Sequence, residues 1–99
     1  MAFIFRPHIL DKIWQKHQVI EDEVEEVYSD PDRITERTGG ARGNNRRYLE
    51  IGETKGGRIL RIVYEAEYND GSQGSLILIT AFEAPEADRK RYRRKVRGR

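Results

Sequence analysis

Apolar and polar positions along the 99 residues change their period once, near residue 33. Before that point the period is helical. "RPHILDKIWQKH" places Ile9, Leu10, Ile13, Trp14 and His17 on one helix face, and Pro7 suits the first turn, where its missing N–H has no intrahelical partner to lose. "VIEDEVEEVYSDP" predicts a second helix with Ile20, Val24, Val27 and Tyr28 inward and Glu21, Asp22, Glu23, Glu25 and Glu26 outward. Asp30 and Pro31 end it, because the residue before a proline is pushed out of the helical region.

After Arg33 alternation takes over. "RITERT", "RRYLEIG", "RILRIVYEAEY" and "SLILITAF" read as four strands rich in β-branched and aromatic residues, joined by turns carrying Gly39, Gly40, Gly43 and Asn44, then "TKGG", then "NDGSQG". Connections this short imply an antiparallel meander. The fourth strand is apolar on both faces over Leu76 to Ile79, which predicts a central position with helices on one side. Pro85, Glu86 and Asp88 open a third helix with anions at its positive end, and only Ala87, Tyr92 and Val96 give it an apolar stripe. The predicted fold is one α+β domain over residues 1–99, in the order ααββββα, with residues 96–99 prone to fray.

Composition narrows the chemistry. The chain is 36% hydrophobic and 36% charged, so a small, highly charged globule is expected. It has no cysteine, which removes disulfide frameworks, thiolate metal sites and cysteine nucleophiles. The longest apolar run is far too short for a bilayer and "MAFIFRPHIL" lacks the order of a signal peptide, so a cytoplasmic protein without a membrane partner is expected. There is no Gly-rich phosphate loop, HExxH, CxxC or GxSxG, and no metal or cofactor is expected. His17 reads as a packed residue of the first helix and His8 as a surface residue. The acidic run 21–26 reads as a solvated helix face, since adjacent carboxylates diverge where a metal needs them to converge.

The net charge of +2 hides an asymmetry. Residues 1–50 hold 8 Lys/Arg against 10 Asp/Glu, and residues 51–99 hold 11 against 7. Arg42, Arg46, Arg47, Lys55, Arg58 and Arg61 fall in or beside the sheet, and Arg89 to Lys95 continue along the last helix. If that helix folds across the sheet, these cations suit a phosphodiester backbone, while Tyr48, Tyr64 and Tyr92 suit stacking on exposed bases. The same charge also suits a tail that only keeps a small domain in solution.

In order and spacing, "KHQVIEDEVEEVYSDP", "RRYLEIG", "GGRILRIVY", "LILITA" and "ADRKRY" resemble the BrnT-type toxins, a branch of the RelE/ParE-like superfamily, over residues 3–94. The resemblance implies a RelE-like fold and the toxin of a type II toxin–antitoxin pair. It implies a metal-independent endoribonuclease acting on RNA, neutralised in a hetero-oligomer by a ribbon-helix-helix antitoxin encoded nearby. In such enzymes the ribose 2′-hydroxyl attacks the adjacent phosphorus, leaving a 2′,3′-cyclic phosphate and a free 5′-hydroxyl. The step needs a proton acceptor, cations for the charge gathering on phosphate, and a donor to the leaving oxygen. By the resemblance, Arg47 is the phosphate-binding electrophile and Tyr92 stacks on a base or assists proton transfer. Glu50, two positions before Gly52 and on the strand face of Tyr48, is a candidate base from its position alone. Arg46, Arg58, Arg61, Arg89, Arg93 and Arg94 are the candidate RNA-binding cations.

One position departs from the family pattern. Where an arginine follows the strand "I-S/T-A", this chain has Phe82 and then Glu83. Removing an electrostatic donor of that kind costs roughly 2.7–4 kcal/mol of transition-state stabilisation. Either Arg89, Arg58 or Arg61 takes its place, or the chain is a non-catalytic RelE-fold module that binds nucleic acid or protein.

Overall fold

A computed structural model of the chain describes residues 3–69 and 71–98. Two helices, α1 (Pro7–His17) and α2 (Glu21–Tyr28), follow a two-residue strand, β1 (Phe3–Ile4). The strands β2 (Ile34–Thr38), β3 (Arg46–Glu53), β4 (Ile59–Asn69) and β5 (Ser72–Glu83) come next, and α3 (Glu86–Arg97) closes the described chain. The architecture is α+β, with three helices on a five-stranded mixed sheet in the order β1-β5-β4-β3-β2.

The sheet corrects the expected four-stranded antiparallel meander in one respect. Strands β2 to β5 do pair antiparallel in sequence order, but β1 adds a fifth strand, parallel to β5, with Phe3 opposite Leu76 and Ile4 opposite Ile77. Two residues are too few to show a period of two, and the partner lies more than seventy positions away, so local pattern has no hold on this pairing. With β1 along its outer edge, β5 is interior, as its two apolar faces require.

Alternation then sorts side chains to two faces. Leu60, Ile62, Tyr64 and Ala66 of β4 and Leu76, Leu78 and Ala81 of β5 pack against Ile13, Val19, Val24 and Val27 of the α1–α2 layer. On the other face Ile51, Ile59 and Ala84 pack with Tyr92 of α3, joined by Ile34, Leu49 and Val96. Asp88 of α3 is buried and Ala87 is exposed, so the inward stripe of α3 runs through a charged residue in place of the expected alanine. Trp14 and Ile20, both expected inward, are 54% and 48% exposed. Ile20 precedes the first turn of α2, and the two side chains rim a groove of about 260 Å³ where α1 and α2 meet. Of the segment expected to fray, Val96 and Arg97 are helical, and residue 99 lies outside the described residues.

At Gly52 α2 comes close against β3. A Cβ there would meet Val27 Cγ1 at 3.0 Å and the Val27 carbonyl oxygen at 3.1 Å. The backbone oxygen cannot rotate away, so a methyl group must push α2 off β3. Gly52→Ala is expected to destabilise the fold by about 1–3 kcal/mol in urea unfolding. An unchanged midpoint would show that α2 shifts without cost.

Candidate nucleic-acid interface

Most of the cations named from the sequence have structural partners. Arg58 donates to the carbonyls of Gln18 (2.9 Å) and His17 (3.1 Å) and to both oxygens of Glu23 (3.0 and 3.1 Å), closing the C-terminal end of α1. That end has unpaired carbonyls and the negative pole of the helix dipole, which a guanidinium answers. Arg61 is ion-paired with Asp88, fixing β4 to α3. Arg89 donates to the Ala84 carbonyl (2.5 Å) and to Glu86 (2.6 Å), within 3.5 Å of Glu83. These three arginines hold the fold together and are only partly exposed.

The three residues proposed for chemistry occupy three different settings. Arg47 and Glu50 are three apart on β3, so alternation sends them to opposite faces. Arg47 reaches Glu65 at 3.8 Å, and its Nε is buried without a hydrogen-bond partner. The Glu65 carboxyl is held below the usual carboxylate range by the Arg42 N–H, against the effect of burial, with help from Asn45 and from the charges of Arg47 and Arg42. Glu50 is 1% exposed and accepts from Arg33 Nε (2.6 Å) and the Thr35 hydroxyl (2.8 Å). A general base must come within about 3 Å of the hydroxyl it deprotonates, and Glu50 sits behind Arg33. Tyr92 is 4% exposed and donates its hydroxyl to Asp30 at 2.5 Å. Burial first, then the Asp30 carboxylate, pushes this phenol well above its ordinary range.

Phe82 stands directly across from Arg61 in the β4–β5 ladder, with the Arg61 Cζ 5.9 Å from the ring centroid. Of the three arginines considered as replacements for a cation at Phe82, Arg61 is the cross-strand neighbour. Its guanidinium is committed to Asp88, and its Nε is buried without a partner.

Two surfaces keep unpaired positive charge. The first is the outer side of α3. Among the described residues no carboxylate lies within ion-pair distance of Arg93, Arg94 or Arg97, and Arg93, Arg97 and Tyr92 line a groove of about 400 Å³ with Glu53, Ile59 and Val96. The second is the end of the sheet that α1 and α2 leave uncovered. Arg37 and Tyr48 are cross-strand partners there, Tyr48 packs on Tyr64 with centroids 5.7 Å apart, and the Arg46 guanidinium lies 4.3 Å from the Tyr68 ring. A hydrogen bond with Tyr68 lowers the Tyr48 phenol below its ordinary value despite burial, with Arg46 and Arg37 adding to the shift. The same bond, with burial, raises Tyr68.

Sequence reasoning named Arg46 and Tyr48 here and passed over Arg37 and Tyr68. Alternation in "RILRIVYEAEY" already puts Tyr64, Ala66 and Tyr68 on one face. Only the strand register brings Arg37 beside them.

Among the described residues, no three His, Cys, Asp or Glu side chains are grouped to hold a metal ion, and no helix is long and apolar enough to cross a membrane. No family model matches this sequence, and no curated protein matches it either.

Asp30 supplies a testable link between charge and stability. It accepts from Tyr92 (2.5 Å), from the Glu53 N–H (2.8 Å) and from the Asp32 N–H (2.8 Å). Burial opposes the charge, but these bonds and Arg33 hold the carboxyl below its ordinary value. A lowered folded pKa gives stability that is present above about pH 4 and is lost as the pH falls through the folded value. Tyr92 is raised, so its contribution is present below about pH 10 and is lost as the pH climbs beyond it. Tyr92→Phe is expected to cost about 1.5–3 kcal/mol at pH 7, as for a hydrogen bond to a charged group. In urea titrations the gap between the two proteins should narrow below pH 4 and above pH 10. A gap constant across that range would contradict the assignment.

Proposed function

We propose that this protein is an RNA-binding toxin of a type II toxin–antitoxin pair, with a RelE-like fold and a metal-independent endoribonuclease activity, as the resemblance to the BrnT-type toxins implies. A ribbon-helix-helix antitoxin encoded nearby would neutralise it in a hetero-oligomer, and the expected setting is the cytoplasm. The observation that carries the RNA-binding part is the division of the cations. Arg58, Arg61 and Arg89 hold helices and strands together, whereas Arg93, Arg94 and Arg97 line the outer side of α3 with no carboxylate within ion-pair distance among the described residues. A solubilising tail has no need of a well-formed helix docked through Tyr92 and Val96 beside a groove. A polyanion does, because a fixed row of charges loses less entropy on binding than a loose one.

In this reading Arg47 is the cation closest to the chemistry. It lies on the α3 side of the sheet, and its contact with Glu65 is long, at 3.8 Å.

Specific observations favour a second reading, a non-catalytic RelE-fold module that binds nucleic acid or protein. Glu50 is sealed behind Arg33, Tyr92 donates to Asp30, and Phe82 occupies the place of an arginine.

Purified protein incubated with single-stranded RNA in EDTA separates the two. The toxin reading expects products ending in 2′,3′-cyclic phosphate, lost in Arg47→Ala, and growth arrest on induction that the adjacent gene relieves. Intact RNA and unimpaired growth would leave the binding module. In either case Arg93→Gln/Arg94→Gln is expected to weaken RNA binding and to flatten the salt dependence of log K by about 1.4, at about 0.7 per lost phosphate contact on a single strand.

A further inference from the structure

We propose that Arg37, Arg46, Tyr48 and Tyr68, at the uncovered end of the sheet face that carries α1 and α2, form a docking platform for unpaired nucleotides of single-stranded RNA. The tyrosine rings take bases and the arginines take the flanking phosphates. The inference rests on the RNA-binding reading above and adds a second surface, on the face opposite α3.

The placement follows from register. Arg37 of β2, Tyr48 of β3 and Tyr64 of β4 form one cross-strand row, and Arg46 lies across from Ala66, two residues before Tyr68. All of them point to the α1–α2 side, where the helices cover Leu60, Ile62 and Tyr64, and where Tyr48 and Tyr68 pack against that cluster while staying partly exposed. Arg46 and Arg37 are exposed, and Tyr48 and Tyr68 are half-buried. The rings are held before any ligand arrives. Tyr48 packs on Tyr64, which meets Tyr28 and Phe3 edge-on at 5.7 and 5.4 Å, and Tyr68 is fixed by its hydrogen bonds to Tyr48 and to Gln73 (3.2 Å).

Charge selects the occupant. Among the described residues no carboxylate lies within ion-pair distance of Arg37 or Arg46, although this chain pairs most of its other sheet arginines. The surface is therefore a fixed pair of phenol rings with Arg46 over the Tyr68 ring and Arg37 across from Tyr48, neither guanidinium paired with a carboxylate among the described residues. Bases stack on such rings whatever their identity, and the guanidiniums meet phosphate oxygens in bidentate fashion. A duplex keeps its bases stacked inside and can use only the arginines, so the platform should prefer single strands.

The test is fluorescence anisotropy with a labelled single-stranded RNA and with the same strand in a duplex. Four proteins are compared: the unaltered chain, Tyr48→Leu/Tyr68→Leu, Arg37→Gln/Arg46→Gln, and Arg93→Gln/Arg94→Gln. The tyrosine pair is expected to weaken single-strand binding about tenfold or more while leaving duplex binding in place. The Arg37/Arg46 pair should flatten the salt slope by about 1.4. Tyr68→Leu alone, at the end of β4, stands in if the double variant does not fold, with thermal melting as the check. Single-strand binding unchanged in the tyrosine variants but lost in Arg93→Gln/Arg94→Gln would overturn the platform and keep the RNA-binding reading. Failure of the unaltered protein to bind RNA would overturn both. Displacement of the RNA by poly-glutamate of equal charge, at equal concentration, would show that the rings select nothing and would also overturn the platform.

Discussion

Asp30 accepts hydrogen bonds from three separate parts of the chain, and the position of the basic helix depends on it. The carboxylate takes the hydroxyl of Tyr92 from α3, the N–H of Glu53 at the end of β3 and the N–H of Asp32 in the turn leaving α2. Beside it the absence of a side chain at Gly52 lets α2 close on β3. α3 has few apolar contacts, mainly Tyr92 and Val96, and its remaining inward residue, Asp88, is charged and held by Arg61. A helix so rich in arginine would otherwise be repelled by its own charge and favour solvent. The half-buried Asp30 acceptor and the Arg61 ion pair, with Lys95 donating to the Arg33 carbonyl and Arg91 paired with Glu36, give it a fixed place.

That anchoring divides the cations into two populations. Arg33, Arg58 and Arg61 each answer a buried carboxylate or a helix-end carbonyl, Arg89 donates to the Ala84 carbonyl ahead of α3, and all four belong to the architecture. Breaking such a contact leaves the partner uncompensated, so their substitution reports on folding before it reports on ligand binding. Arg37, Arg46, Arg93 and Arg94 have no such duty among the described residues, and they sit on opposite faces of the sheet. Net charge does not make this distinction, because surface cations and structural cations count equally toward +2.

The helices and the four long strands were legible because each is set by its own sequence. Period, a proline at the first turn and glycine-bearing turns are local signals, and α1, α2, β2, β3, β4, β5 and α3 all carry them. β1 escaped because two residues have no period, and its partner Leu76–Ile77 lies far along the chain. Side-chain roles were harder. The alternation of β3 places Glu50 on the helix-covered face, but only the tertiary structure shows Arg33 and Thr35 closing over it. Tyr92 was legible as an anchor of α3, while its hydroxyl's partner, 62 positions earlier, was not. Tyr68 and Arg37 were overlooked because their significance arises from register, which aligns three strands that the sequence presents separately.

On the proposed reading, the cations that the fold leaves without a carboxylate partner are the ones that meet nucleic acid. Backbone and arginine side-chain NMR shifts followed through a titration with single-stranded RNA test it most directly. Changes clustered at Arg37, Arg46, Tyr48 and Tyr68 and at Arg93 and Arg94, with Arg58 and Arg89 undisturbed, are the predicted result. Changes centred on Arg58 and Arg89, or none at saturating RNA, would contradict it.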